Sequence, residues 1–308
     1  ANFIAKAAEG MADDMLTTTL LATRAPIFFA PAMNSNMYAN PVTQQNIQAL
    51  QRRGWQLIEP ASGPLACGTS GVGRLPEPEQ IVAEVEAAAS SLASLTGKKV
   101  LVTAAGTIEP IDPVRYIGNR SSGRMGYAIA AEAARRGAEV VLVSGPSALS
   151  EPAGVRTIHI ETAAQMRSAV LAEFPACDIV IKAAAVADYR AREVAENKIK
   201  KDEDVLTLVL EKNPDILKEL GGLKQPGQIL VGFAAETQNL LAYAKQKLEK
   251  KNLDFIVAND VTKPNAGFNA ETNLIKILSR DGRVEEFPLQ SKVALAGIIL
   301  DRVTALRK

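Results

Sequence analysis

With 308 residues the chain has room for two domains, since single cores stop growing at about 250–300 residues. It is 47% hydrophobic and 22% charged, and 35 Lys plus Arg against 34 Asp plus Glu exclude the strongly basic footprint of a nucleic-acid-binding domain. Two cysteines without CxxC spacing, Cys67 and Cys177, exclude a disulfide framework or zinc ribbon, and the single histidine, His159, excludes a His-rich metal site.

From the amino terminus, the pattern predicts a helix over Ile4–Leu21, a strand over Ile27–Ala30, a helix over Thr43–Arg53 and a strand over Trp55–Ile58, then a long loop. Two strands do not close a nucleotide-binding sheet, so this segment reads as part of a domain whose upstream half is missing. A helix-like, alanine-rich stretch from Glu77 to Leu95 ends at Thr96-Gly97, a stop signal, and divides the chain into 1–96 and 97–308. No apolar run reaches the roughly 18 residues that cross a bilayer. Ala1–Lys6 has no basic stretch leading into an apolar one, so no secretory signal, no membrane partner and a cytoplasmic location are expected.

After Gly97, short apolar runs predict buried strands over Val100–Thr103, Val140–Ser144, Ile179–Ala183, Ile229–Phe233 and Phe255–Ala258. Helix-like stretches lie between most of them, at Met125–Arg136, Ala163–Glu173 and Leu240–Lys251. That alternation implies an α/β fold with a doubly wound, mostly parallel, Rossmann-like sheet. Ligands on such sheets bind beyond the carboxyl ends of the strands. His159 and Cys177 read as an ordinary strand residue and a core residue.

The loop after the first strand ends in Ser121-Ser122-Gly123, just before a helix expected to start near Ser122 or Gly123. Small residues and hydroxyls there suit either an anion or a plain serine cap, and Arg120 and Arg124 add charge. It is not a dinucleotide fingerprint, because roughly 17 residues separate it from the strand. Tyr243 and Lys247 match the Tyr-x-x-x-Lys pair of nicotinamide-dependent oxidoreductases, but on a lysine-rich helix where chance matches arise easily. The third strand runs into Lys182-Ala183-Ala184-Ala185, with Asp188 placed to accept from hydroxyls or an amine. Next, Lys198, Lys200 and Lys201 crowd four positions, as a solvated face or as counter-charge for a polyphosphate.

These loops together resemble the phosphopantothenate–cysteine ligase domain of the bacterial bifunctional coenzyme A biosynthesis protein. The matching stretches are VTAAGTIEPIDPVRYIGNRSSGRMG (102–126), AAAVADYR (183–190), NKIKK (197–201), KNPDI (212–216), VGFAAET (231–237), ANDV (258–261) and GFNAETN (267–273). ANFIAKAAEGMADD (1–14), APAMN (30–34) and ACGTSGVGR (66–74) resemble the second half of its partner, the FMN-dependent phosphopantothenoylcysteine decarboxylase.

The resemblance implies ligation of 4′-phosphopantothenate to cysteine with CTP and Mg²⁺, through an acyl-cytidylate. Lys198 would carry the first half-reaction, and Asn119 would hold the acyl-cytidylate for the second. Lys182, Ala183, Ala184, Asp188, Pro214, Asp215, Ile216, Leu217, Phe233, Lys247 and Lys251 match the nucleotide-contacting positions, Lys198 among them, and Ser121, Ser122 and Gly123 join them as the anion loop. Arg115 and Ala185 match the phosphopantothenate site; Asn34 and Cys67 match the decarboxylase's substrate asparagine and its proton donor on a glycine-rich flap. Pairing of ligase domains as dimers and of decarboxylase domains as trimers is implied too. A decarboxylase acting alone and a non-catalytic interaction module are the rival expectations, with an oxidoreductase behind them.

Overall fold

A computed structural model of the protein describes all residues except 66, 67, 69, 201–204, 237–239, 261–266, 268, 307 and 308, and omits the side chains of 90–92, 235, 236, 240–242 and 260. Cys67 and Lys201 lie outside the described residues. The chain divides into two compact units, Ala1–Ser91 and Leu92–Lys308. Among the described residues, no helix is long and apolar enough to cross a membrane.

In the first unit, the helix expected over Ile4–Leu21 is two helices, Asn2–Glu9 and Met15–Ala22. Gly10 stops the first in the left-handed region at φ 73°, where a side chain would be strained. Asp14 starts the second by accepting from Thr17 N, while Thr17 reciprocates to the Asp14 backbone. Two short strands, Phe28–Phe29 and Gln56–Leu57, pair in parallel. Ile4, Ala8, Ile47 and Leu50 form a small core beside them. A hairpin, Ala61–Pro64 with Ser70–Arg74, lies against the Met33-Asn34 segment, where Met33 N donates to Gly73 O at 2.9 Å.

The second unit is built on eight strands: β1 (Lys99–Ala104), β2 (Glu139–Ser144), β3 (Val155–His159), β4 (Ile179–Lys182), β5 (Ile229–Glu236), β6 (Phe255–Asp260), β7 (Thr272–Ser279) and β8 (Val284–Ser291). They run in the order β8-β7-β6-β5-β4-β1-β2-β3. All neighbours from β6 to β3 are parallel, while β7 and β8 join as an antiparallel edge. The expected parallel sheet is therefore present, extended by a hairpin not anticipated from sequence.

Five helices cover the sheet: α1 (Arg124–Arg135), α2 (Ala163–Glu173), α3 (Ile216–Leu223), α4 (Leu240–Lys250) and α5 (Lys292–Ala305). Successive β1 residues point to opposite faces. Val100 and Val102 pack with Ile129, Ala133, Leu295 and Ile299 of α1 and α5. Leu101 packs with Met166, Val170, Leu220 and Leu248 of α2, α3 and α4. Both faces are thus dry, which is why the central strands read as unbroken apolar runs. His159 closes β3, with Nε2 2.8 Å from Glu151 Oε1. Cys177 is buried, its Sγ donating to Glu173 O at 3.2 Å, and burial pushes its thiol up to about 11.

Candidate active site

The chain winds from β1 outward to β3, then returns to β4 on the other side of β1 and continues to β5 and β6. The loops after β1 and β4 therefore part, and a crevice opens at that switch point. A cleft of about 400 Å³ occupies it. Over their first residues the two loops stay bonded to each other. Ala185 N donates to Ala105 O at 2.8 Å, and Thr103 Oγ1 accepts from Ala184 N at 3.1 Å. Ala105 takes φ 62°, a conformation uncommon for a residue with a side chain.

One wall of the cleft is the start of α1. Ser121, Gly123, Arg124, Met125 and Gly126 line it. The serine cap did not materialise: Gly123 is the N-cap, at φ 83°, with no side-chain cap bond. Leaving the cap without a side-chain acceptor lets the first N–H groups and the positive helix end face the cleft. Gly126 sits close to β1, where an added Cβ would meet Ala104 Cβ at 2.5 Å.

Asn213 to Leu217, Lys247 and Lys251 line the same cleft, together with Lys182 and Phe233. Asp215 caps α3 by accepting from Lys218 N at 3.0 Å and pairs with Lys251 at 2.9 Å. Burial would raise the Asp215 carboxyl, but Lys251, the Lys218 N–H and Lys182 together outweigh it and hold the group below the usual range. Lys182 is 7% exposed, and burial pushes its ammonium down to about 7 against the pull of Asp215. Such a lysine is half-neutral near pH 7 until an anion arrives.

The cleft thus gathers Asn119, Ser121, Gly123, Lys182, Ala183, Ala184, Ala185, Asp188, Pro214, Asp215, Ile216, Leu217, Phe233, Lys247 and Lys251, all singled out from sequence. Asn119 Nδ2 donates to Ala185 O at 3.1 Å and Val186 O at 3.2 Å, which joins the two loops. Lys198, Arg115 and Ser122 are not among the lining residues. Lys198 is exposed; Arg115 pairs with Asp112 at 2.6 Å; Ser122 O accepts from Ser147 Oγ at 3.0 Å. Tyr243 is 46% exposed and also absent from the lining, so the Tyr-x-x-x-Lys pair does not converge on the cleft.

Sequence reasoning missed several lining residues. Asn213 Nδ2 donates to Ala187 O at 2.9 Å and braces the β4 loop. Lys292, at the start of α5, is 6% exposed and donates to Gly267 O at 3.3 Å. Burial, with Arg124 nearby, lowers it to about 8. Its signal was available: Ser291 before an apolar run is a cap, and Lys at the first helical position is unusual. Among the described residues, no group of three or more His, Cys, Asp or Glu side chains is placed to hold a metal.

In the first unit, Asn34 caps the helix Ser35–Ala39, its Oδ1 accepting from Asn36 N at 2.9 Å.

Comparison with known proteins follows this division. The family model "DNA/pantothenate metabolism flavoprotein C-terminal domain" matches residues 95–306, and the model "Flavoprotein" matches residues 1–90. The chain is 52% identical over 311 aligned residues to the coenzyme A biosynthesis bifunctional protein CoaBC of Bacillus subtilis, covering 100% of this chain and 76% of that protein. It is 47% identical to CoaBC of Escherichia coli, covering 98% of this chain and 75% of that protein. Among solved structures, the C-terminal domain of a CoaBC protein superposes with a TM-score of 0.60 at 44% identity, covering 70% of this chain and 97% of that one.

Proposed function

The chain belongs to the family of bifunctional coenzyme A biosynthesis proteins, and we propose that its second unit forms an acyl-cytidylate from 4′-phosphopantothenate and CTP in the β1/β4 cleft. It is an enzyme of coenzyme A biosynthesis, a phosphopantothenate–cysteine ligase in a family that also carries a decarboxylase activity. What supports the cleft as the ligase site is one observation. Lys182, Lys247 and Lys251 line the same crevice as a helix N-terminus whose cap uses no side-chain acceptor.

An anionic carboxylate must approach an anionic triphosphate, so fixed positive charge has to offset their repulsion. A carboxylate oxygen of phosphopantothenate attacks the α-phosphorus, the bond to the β-phosphate breaks, and pyrophosphate leaves. The cysteine amine then attacks the acyl carbon, CMP leaves, and the amine proton passes to solvent. Lys198 serves the first step and Asn119 the second, with Arg115 and Ala185 at the phosphopantothenate end. Phe233 and Pro214 to Leu217 take the nucleoside.

Mg²⁺ fits this donor set as an ion carried on the phosphates, since it keeps waters and takes one or two carboxylates. Asp188 lines the cleft and is the carboxylate to reach it, because Asp215 is engaged by Lys251. Bound there, Mg²⁺ would neutralise phosphate charge. For the decarboxylase activity, Asn34 and Cys67 would bind substrate and donate a proton, with FMN supplying the redox chemistry. Pairing of ligase units and threefold assembly of decarboxylase units belong to the same reading.

The test is pyrophosphate release from the purified chain with Mg²⁺ and 4′-phosphopantothenate, comparing CTP with ATP, with and without cysteine. Release with CTP, then CMP and an amide once cysteine is added, is expected. Absence of release with either nucleotide would defeat the assignment of the cleft.

A further inference from the structure

Arg115 and Lys198 stand outside the cleft lining, yet one buried carboxylate joins the segments that carry them. The Asp112 side chain is 0% exposed. Its Oδ1 accepts from Val114 N and Arg115 N, both at 2.8 Å. Its Oδ2 accepts from Arg115 Nε at 2.9 Å, Arg115 Nη2 at 2.6 Å and Ile199 N at 3.2 Å. Arg115 Nη2 donates a second bond, to Ile199 O at 2.8 Å. Ala195 N donates to Ile111 O at 3.0 Å. The backbone of Ile199 is therefore gripped at its N–H and its C=O, between Lys198 and Lys200, by residues more than eighty positions away.

We propose that Asp112 is a positioning residue for ligation: it fastens the Lys198 segment onto the Arg115 turn, so that the two move as one piece. The proposal rests on the ligase roles given above to Lys198 and Arg115. A lysine that must meet the attacking carboxylate needs a fixed root, because its own four-carbon stem is flexible. The same grip holds the arginine at the phosphopantothenate end, so one carboxylate sets the spacing between the group that binds the substrate and the group that activates it. Only an ionised carboxylate can do this, since all five contacts are donors. An amide of the same shape would turn an N–H toward another N–H.

The experiment uses the full chain carrying Asp112→Asn, with Arg115→Gln as the second variant. Trypsin cuts only where a segment leaves its surroundings. In the unaltered protein the Lys198–Ile199 bond is expected to resist; in both variants cutting there should quicken about tenfold, the loss a charged hydrogen bond represents. In Asp112→Asn, kcat for pyrophosphate release should fall about tenfold and KM for phosphopantothenate should rise, by the same reckoning. KM for CTP should stay within about twofold, because the cleft walls are untouched.

Unchanged cutting in both variants would overturn the proposal. So would an undiminished kcat beside faster cutting, or an equal rise in KM for CTP, the mark of general damage. Should Asp112→Asn fail to fold, Arg115→Gln decides the proteolysis. If the unaltered chain releases no pyrophosphate, the ligase assignment falls, while the cutting rates still report on the grip.

Discussion

Lys251 Nζ stands 2.9 Å from Asp215 Oδ2, whereas the hydrogen-bonding neighbour of Lys182 Nζ in the same cleft is a thioether, Met166 Sδ at 3.9 Å. One lysine is paired directly with a carboxylate; the other feels the charge of Asp215 without a hydrogen bond to it. That contrast leads to the first prediction. Burial brings Lys182 down to about 7, and a bound triphosphate would raise it again. CTP affinity should be level below pH 7 and weaken above it, by up to tenfold per pH unit until the bound-state value is reached. Calorimetry at pH 8 in buffers of different ionisation enthalpy should show a proton taken up on binding. Lys182→Met should lose that uptake and bind CTP about 10- to 100-fold more weakly. It should also unfold at a higher temperature, since a buried charge is replaced by an apolar chain of similar length.

The two half-reactions should separate by mutation. Lys198→Gln should abolish pyrophosphate release while CTP binding by calorimetry remains. Asn119→Asp should do the reverse. Its carboxylate would face the carbonyls of Ala185 and Val186, which Nδ2 now donates to at 3.1 and 3.2 Å. Pyrophosphate release should persist, and CMP and amide formation should fall at least about tenfold, the cost of an unpaired charged group. Normal amide formation by Asn119→Asp would remove Asn119 from the second step.

A third prediction concerns acid stability. Arg136, with a side chain 4% exposed, donates to Glu132 Oε1 at 2.8 Å, Asp301 Oδ1 at 2.6 Å and Gly297 O at 3.0 Å, tying α1 to α5. Burial opposes the charge on Glu132, but hydrogen bonds from Arg135 and Arg136 prevail and hold its carboxyl below the usual range. A depressed carboxyl contributes stability above its unfolded value and loses it as pH falls through its folded value. The unaltered chain should therefore lose this contribution below about pH 4. Arg136→Met should unfold about 1.5–3 kcal/mol more easily at pH 7, because buried Glu132 keeps Arg135 but loses its bond from Arg136, and the tie to Asp301 is cut. Its penalty should shrink as pH falls through the value of the folded parent's Glu132 carboxyl, and denaturant melts at pH 7 and well below pH 4 would show whether it does.

Much of this was legible in the sequence, and the misses have physical causes. Strands β1, β2, β4, β5 and β6 announced themselves because both sheet faces are dry. Strands β7 and β8 alternate instead, as antiparallel edge strands do, and only their Asp281-Gly282 turn marked them. The first helix was overdrawn although Gly10 and Asp14, a stop and a start, were in view. The cleft loops were readable as small-residue stretches after strands. Asp112 was not, since an aspartate between Ile111 and Pro113 resembles any turn residue until Ile199 folds onto it. Long-range pairing of a loop residue leaves no local periodicity.

The last prediction contrasts two helical glycines. Gly126 lies in the first turn of α1, and a Cβ there would meet Ala104 Cβ at 2.5 Å and Thr103 O at 2.9 Å. Both are rigid β1 positions, so the helix would have to move off the sheet, and its N-terminus would leave the cleft wall. Gly126→Ala should cost about 1–3 kcal/mol by overpacking, despite alanine's better helix propensity. It should also weaken CTP binding, because the helix end no longer faces the phosphates. Gly222 in α3 has nothing within 4 Å of an added Cβ and no positive φ. Gly222→Ala should therefore stabilise the protein by about 0.5–1 kcal/mol and leave binding unchanged. Melting temperatures and CTP titrations on the two variants would check both; a Gly126→Ala protein as stable as the parent would mean that α1 is not held tightly against β1.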